Sequence, residues 1–144
     1  MAIMTMKDNK VEISTNGTTW TDISGYTNKI EWDGGEREIA EASVFGEDVA
    51  KIAPGKRSPV EITVTVVYDE STSSPLETLR SAYESSSTLH MRWSPTGGVT
   101  GSKRYSAIGY VTTPIVPAGD AEASDVLMVE FTLKAPEITV ETVA

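Results

Sequence analysis

Residues 60–68 read VEITVTVVY and alternate along almost their whole length. Val60, Ile62, Val64, Val66 and Tyr68 take one side, and Glu61, Thr63 and Thr65 take the other. Successive side chains of a strand point to opposite faces, so this pattern sets one face against a core and leaves the other wet or in polar contact. Such a strand requires partners in a sheet and a layer over its apolar face. The 144-residue chain can supply both: 24 Val and Ile stand against 5 Leu, a bias toward pleated surfaces.

The remaining elements follow from the same reasoning. Residues 11–14 alternate, and Asn16-Gly17 provides a hairpin signal, so 20–23 is expected to return antiparallel. Residues 26–32 predict a third strand with Ile30 and Trp32 inward, followed by a tight-turn signal at Asp33-Gly34-Gly35. Further strands are expected at 89–93, 104–113 and 126–134, the last with Leu127, Val129, Phe131 and Leu133 inward. One helix is expected at 75–86. Ser74 suits its N-cap, Pro75 its first position and Glu77 its first turn, while Leu76, Leu79 and Tyr83 share a face. Residues 94–102 and 117–125 read as loops, and 135–144 as a tail available to another sheet. The expected core is Val11, Ile13, Ile30, Ile62, Val64, Val66, Leu79, Leu127, Val129 and Phe131. The sum is one mainly β domain over residues 1–144. It is an antiparallel β-sandwich or half-open barrel of roughly eight strands, with one flanking α-helix and a long protruding hairpin loop.

That protrusion is the segment 36–58. It is rich in charge and Ala, and Gly46, Pro54 and Gly55 interrupt it. Residues 36–45 could form a strand, and 47–58 reads as a long exposed loop of the kind that is functional or disordered.

Chemistry is scarce. With no Cys and a single His, there is no disulfide, thiol nucleophile, Cys–zinc site or histidine cluster. His90 sits at a polar strand position between Leu89 and Met91 and reads as a surface or pairing residue. The run Gly97–Lys103 resembles a phosphate cradle but opens no helix, so it reads as a turn. Asp120, Glu122 and Asp125 lack the spacing of a calcium loop. Neither a cofactor nor a metal is expected. The formal charge of −9 disfavours a nucleic-acid reader. No apolar run is long enough for a membrane span or a secretory signal, which predicts a chain made and folded in the cytoplasm.

The order of these features resembles the major tail tube proteins of long-tailed bacteriophages. A short first strand is followed by Thr19-Trp20-Thr21-Asp22-Ile23-Ser24-Gly25, similar to a W-x-x-I-x-G opening. Then come the long hairpin with a polar loop, the strand ending at Tyr68, the helix, Trp93 with its Gly-rich turn, the strand holding Gly109, and the strand at 126–134. The resemblance implies a structural virion protein without enzymatic activity, assembled in the host cytoplasm. Six copies would form a ring, and stacked rings a tube through which DNA passes without sequence-specific binding. Tape-measure, tail-terminator and tail-tip proteins would be its partners. On this reading Glu61, Thr63 and Thr65 face the lumen, joined by Glu36 and Glu38 if their strand pairs with 60–68. Glu47, Asp48, Lys51, Lys56 and Arg57, with Phe45, Val49 and Ile52, would contact a neighbouring subunit or ring. Asp120, Glu122 and Asp125 are candidate counterparts of the basic residues. Alternation alone is equally compatible with an ordinary solvated face for 61, 63 and 65. Two alternatives stand beside the tube: another tail or head–tail joining protein of this fold, including the tube of a contractile system, and a monomeric carbohydrate-binding or adhesion module using Trp20, Trp32 or Trp93.

Overall fold

The computed structural model describes residues 3–70, 75–118 and 126–144. Among them are ten strands and one α-helix: β1 (Lys10–Ser14), β2 (Thr21–Asp22), β3 (Thr27–Gly34), β4 (Arg37–Ala42), β5 (Lys51–Arg57), β6 (Val60–Val67), α1 (Pro75–Ser85), β7 (Thr88–Ser94), β8 (Lys103–Val111), β9 (Met128–Ala135) and β10 (Thr139–Thr142). Eight strands make one antiparallel sheet. Seven lie in the order β2-β1-β7-β8-β9-β6-β3, and β10 pairs with β8 beside that path. β4 and β5 pair only with each other.

The sheet is curled. Its two outermost strands on that path, β2 and β3, are consecutive in the chain and separated by residues 23–26 alone. Five Cα steps span at most about 18 Å, so the two ends of the sheet must come close. Ile23, fully buried, seals the join; its N–H donates to the Val11 carbonyl (2.8 Å), and its carbonyl accepts from the Thr27 N–H (3.1 Å). Inside the curl lies a single core. Val60, Ile62, Val64 and Val66 of β6 meet Val129, Phe131 and Leu133 of β9, Leu89, Met91 and Trp93 of β7, Val11 and Ile13 of β1, and Leu76, Leu79 and Ala82 of α1.

Gly109 shows how tightly β8 and β9 cross. A Cβ there would lie 2.1 Å from the Lys134 carbonyl oxygen. β9 pairs with β8 only at Tyr110 and Val111, and β10 takes over along Lys103–Ser106 of the same strand. The tail expected for another sheet therefore completes its own.

Several expectations are corrected. Residues 47–58 are not a long loop, because Lys51–Arg57 form β5 against β4. Asp33-Gly34-Gly35 is a kink and not a reversal. Gly34 (φ +91°) and Gly35 (φ +78°) redirect the chain from β3 into β4, and Pro59 and Ser58 do so opposite, between β5 and β6. Trp32 lies on the inward side of β3 but is 59% exposed, because β3 is the edge strand of the sheet, and Leu127 precedes β9 and is exposed at the end of the core. Ile30 is half-buried against the core. Ser74 lies outside the described residues. The helix ends one residue earlier than expected, with Ser86 at φ +54°. Ser86 N–H donates to the Tyr83 carbonyl (3.4 Å) and Ser87 N–H to the Ala82 carbonyl (3.2 Å), closing a Schellman motif.

Candidate assembly surfaces

Three surfaces stand out: the outer face of β3–β6–β9, the β4–β5 hairpin, and the groove where that hairpin leaves the body.

The first is a grid built by register. Lys29, Thr65 and Glu130 lie side by side, then Glu31, Thr63 and Thr132, then Asp33, Glu61 and Lys134. Each alternates with a residue of the inner face, so the period that builds the core also makes this outer face polar. Thr63 and Thr132 hydroxyls lie 3.4 Å apart, Lys134 Nζ is 3.7 Å from Glu61, and Lys29 Nζ is 3.6 Å from Glu31. Glu31, Asp33, Glu61 and Glu130 against Lys29 and Lys134 leave two net negative charges. Glu36 and Glu38 do not join the grid. β6 pairs with β3 and β9, whereas Glu36 lies in the kink and Glu38 on β4, which pairs with β5. β3, β9 and their lysines were not foreseen as parts of this surface, although the alternation of Glu130, Thr132 and Lys134 signalled it.

The hairpin is exposed on both sides. Ile39 faces Pro54, Ala40 faces Ala53 and Glu41 faces Ile52 across it. Register slips between Arg37 and Ile39, where β5 carries an extra residue, a bulge beside Gly55. Phe45 at the tip is fully exposed, and Val44, Val49 and Ile52 are exposed with it. Of the three expected contact cations, Lys51 pairs with Glu47 (2.9 Å) and Arg57 with Glu137 (2.7 Å) in the same chain, whereas Lys56 has no ion pair among the described residues. Asp48 is an exposed residue of the tip. Asp120, Glu122 and Asp125 lie outside the described residues.

The groove lies in the angle between hairpin and body. Trp32, Trp93, Tyr105, Ile138 and Val140 line it together with the backbone of the kink. Trp93 and Tyr105 stack at 5.9 Å, and the Arg57–Glu137 pair stands at its edge.

The opening motif has a packing role. Trp20 is half-buried beneath Arg92, whose guanidinium carbon is 3.9 Å from the ring centre, and Arg92 also donates to both oxygens of Glu12 (3.0 and 3.4 Å). His90 meets the Trp20 ring edge-on at 6.4 Å. Burial raises the pKa of Asp22, but hydrogen bonds from the Ser24 hydroxyl and amide, aided by Lys10, outweigh it and hold the carboxyl below its ordinary value. A Cβ at Gly25 would meet nothing within 4 Å, so packing does not explain the glycine. With Trp20 covered and Trp93 buried, Trp32 is the exposed member of the three tryptophans. No group of three or more acidic or His side chains among the described residues is placed to hold a metal. None of the described helices is long and apolar enough to cross a membrane.

Comparison with known proteins agrees with this architecture. The family model for "Phage tail tube protein, TTP" matches residues 9–134. No curated protein matches the sequence. The fold is similar to that of the SPP1 tail tube solved by solid-state NMR and cryo-EM (TM-score 0.72, 14% identity, covering 98% of this chain and 80% of that one). It is also similar to the tail of an empty GTA particle refined with C6 symmetry (0.71, 11%, 99% and 100%). A third similar structure is the sheath–tube complex of the PVC extracellular contractile injection system in its extended state (0.66, 14%, 98% and 93%).

Proposed function

From the premise that the chain belongs to the phage tail tube protein family, we propose that six copies close into a ring, that rings stack into the tail tube of a virion, and that the β3–β6–β9 grid lines a lumen through which DNA passes. The observation that carries this reading is the grid itself. It is a polar face, net negative, spread over three adjacent strands whose opposite sides form the core. β3 is also an edge strand, and pairing with a neighbouring copy would satisfy its open side while extending the grid into a closed barrel. Repeated around a ring, the negative charge of Glu31, Asp33, Glu61 and Glu130 repels phosphates and lets DNA slide without adhering. Thr63 and Thr65 supply neutral polar surface between these charges.

The hairpin reaches an adjacent subunit or ring. Lys51, Lys56 and Arg57 face acids there, with Asp120, Glu122 and Asp125 as counterparts, and Phe45, Val49 and Ile52 add apolar contact. Lys56 contributes most among the cations, because Lys51 and Arg57 must exchange the partners they hold within the chain. Tape-measure, terminator and tip proteins meet the ends of the tube. Assembly takes place in the host cytoplasm, and the protein has no enzymatic activity.

Negative-stain microscopy and light scattering of the purified chain test the assembly. Rings or tubes are expected, and a monodisperse monomer under all assembly conditions would reject it. Reversing Lys51, Lys56 and Arg57 to Glu should leave circular dichroism unchanged and abolish tube growth. Normal growth of that variant would remove the basic residues from the contact.

A further inference from the structure

Among the described residues, apolar side chains are left without cover at both ends of the β4–β5 hairpin. One is the tip, where Phe45 is fully exposed between Val44 and Val49. The other is the groove at the base, lined by Trp32, the stacked Trp93–Tyr105 pair, Ile138 and Val140. The tip cannot fill the groove of its own chain. Gly34, Gly35, Arg57 and Ser58, at the hairpin base, help to line the groove. β4 alone rises about 17 Å away from that base, and Phe45 lies three residues further on.

We infer that the groove receives Phe45 from a neighbouring copy of this chain. The inference rests on the self-assembly proposed above and names its contact. A globular chain of this length has a radius of gyration of about 14 Å, so a projection on the order of 20 Å carries the tip clear of its own body and into the space of the next copy. Each copy has one tip and one groove. Made in one direction from copy to copy, the contact is heterologous and propagates into rings or helical arrays, whereas reciprocal exchange of tips between two copies would stop at a dimer. An aromatic side chain in an apolar pocket bordered by an ion pair, here Arg57–Glu137, has the anatomy of an interface anchor.

Because the chain contains no Cys, a disulfide trap reads the contact without background. Phe45→Cys combined with Val140→Cys, oxidised under assembly conditions, should give a reductant-sensitive ladder of dimers, trimers and larger species on a denaturing gel. Either single variant should stay monomeric on the same gel, because its one thiol has no thiol opposite it in the proposed contact. If tubes form but the double variant goes no further than the dimer, the tip does not enter the next copy's groove along the array; this inference falls and the tube reading stands. If neither tubes of the parent chain nor a ladder forms, both fall. In a second experiment, Phe45→Ala should leave circular dichroism and melting unchanged while raising the concentration needed for assembly at least about tenfold. Assembly at the parent concentration would overturn the inference.

Discussion

β5 and β6 are separated in the chain by Ser58 and Pro59 alone, yet they exist for different reasons. β6 buries every second residue, lies between β3 and β9, and forms the middle of one side of the core. β5 has one partner and keeps almost every side chain exposed. A strand like β6 is held by side-chain packing. A strand like β5 is held by a ladder to one neighbour, and an isolated two-stranded hairpin is marginally stable in water. The contrast separates the part of the chain that folds for itself from the part shaped for something outside it.

The sharpest way to break this contrast is to remove a large side chain from each region. Phe131→Ala should cost the subunit about 3–5 kcal/mol in chemical denaturation, whereas Ile52→Ala should move it by no more than about 0.5 kcal/mol. Equal costs would mean that the hairpin packs on the body in solution. Glycines extend the comparison. Gly109→Ala forces a methyl group against the Lys134 carbonyl and should cost about 1–3 kcal/mol of global stability. Gly46→Ala, at φ +82° in open space, carries only a conformational penalty of about 1 kcal/mol. That penalty should be seen as faster amide exchange in the hairpin and not as a lower global midpoint.

A smaller gain is expected at the helix end. Ser86→Gly relieves the left-handed residue of the Schellman motif and should raise stability by about 0.5–1 kcal/mol in thermal melts.

The smallest effect concerns β10. A hydrogen bond from Arg104 (2.9 Å), and then one from Ser106, hold the Glu141 carboxyl below its ordinary value of 4.5. A lowered carboxylate pKa contributes stability that is complete above the unfolded value and is lost as pH falls through the folded one. Amide protection of β10 should therefore decline below about pH 4.5, before that of β6. Glu141→Gln should flatten this response, and an unchanged pH profile would show that the pair does not hold β10.

The body was legible in the sequence because its strands alternate. The faces of β6, β7 and most of β9 follow from counting by two, and the helix from Pro75 and its apolar spacing. Trp32 and Leu127 show the limit of that reading. Parity gives the direction of a side chain, but burial also requires a layer opposite: Trp32 stands on the edge strand, at the side of the core, and Leu127 before the start of β9, at its end. β5 was hidden for a different reason. With both faces exposed its residues need no period, and Pro54 and Gly55 read as turn residues although an edge strand with a bulge accommodates both. The grid was half legible. Its central column could be read from Glu61, Thr63 and Thr65, while the pairing that brings β3 and β9 beside it, and sets Glu36 and Glu38 apart, depends on contacts distant in sequence.

The kink at Gly34 and Gly35 has a mechanical consequence. Between hairpin and body run two backbone crossings, tied by the Gly35 amide on the Pro59 carbonyl (3.3 Å) and the Ser58 amide on the Glu36 carbonyl (2.8 Å). A load applied at the tip is transmitted through this neck, where the regular ladder is interrupted between Gly34–Val60 and Arg37–Arg57, so the neck acts as a flexure between hairpin and body. In an array joined through such arms, bending compliance concentrates at the necks, and the array can curve while every strand of each body keeps its register.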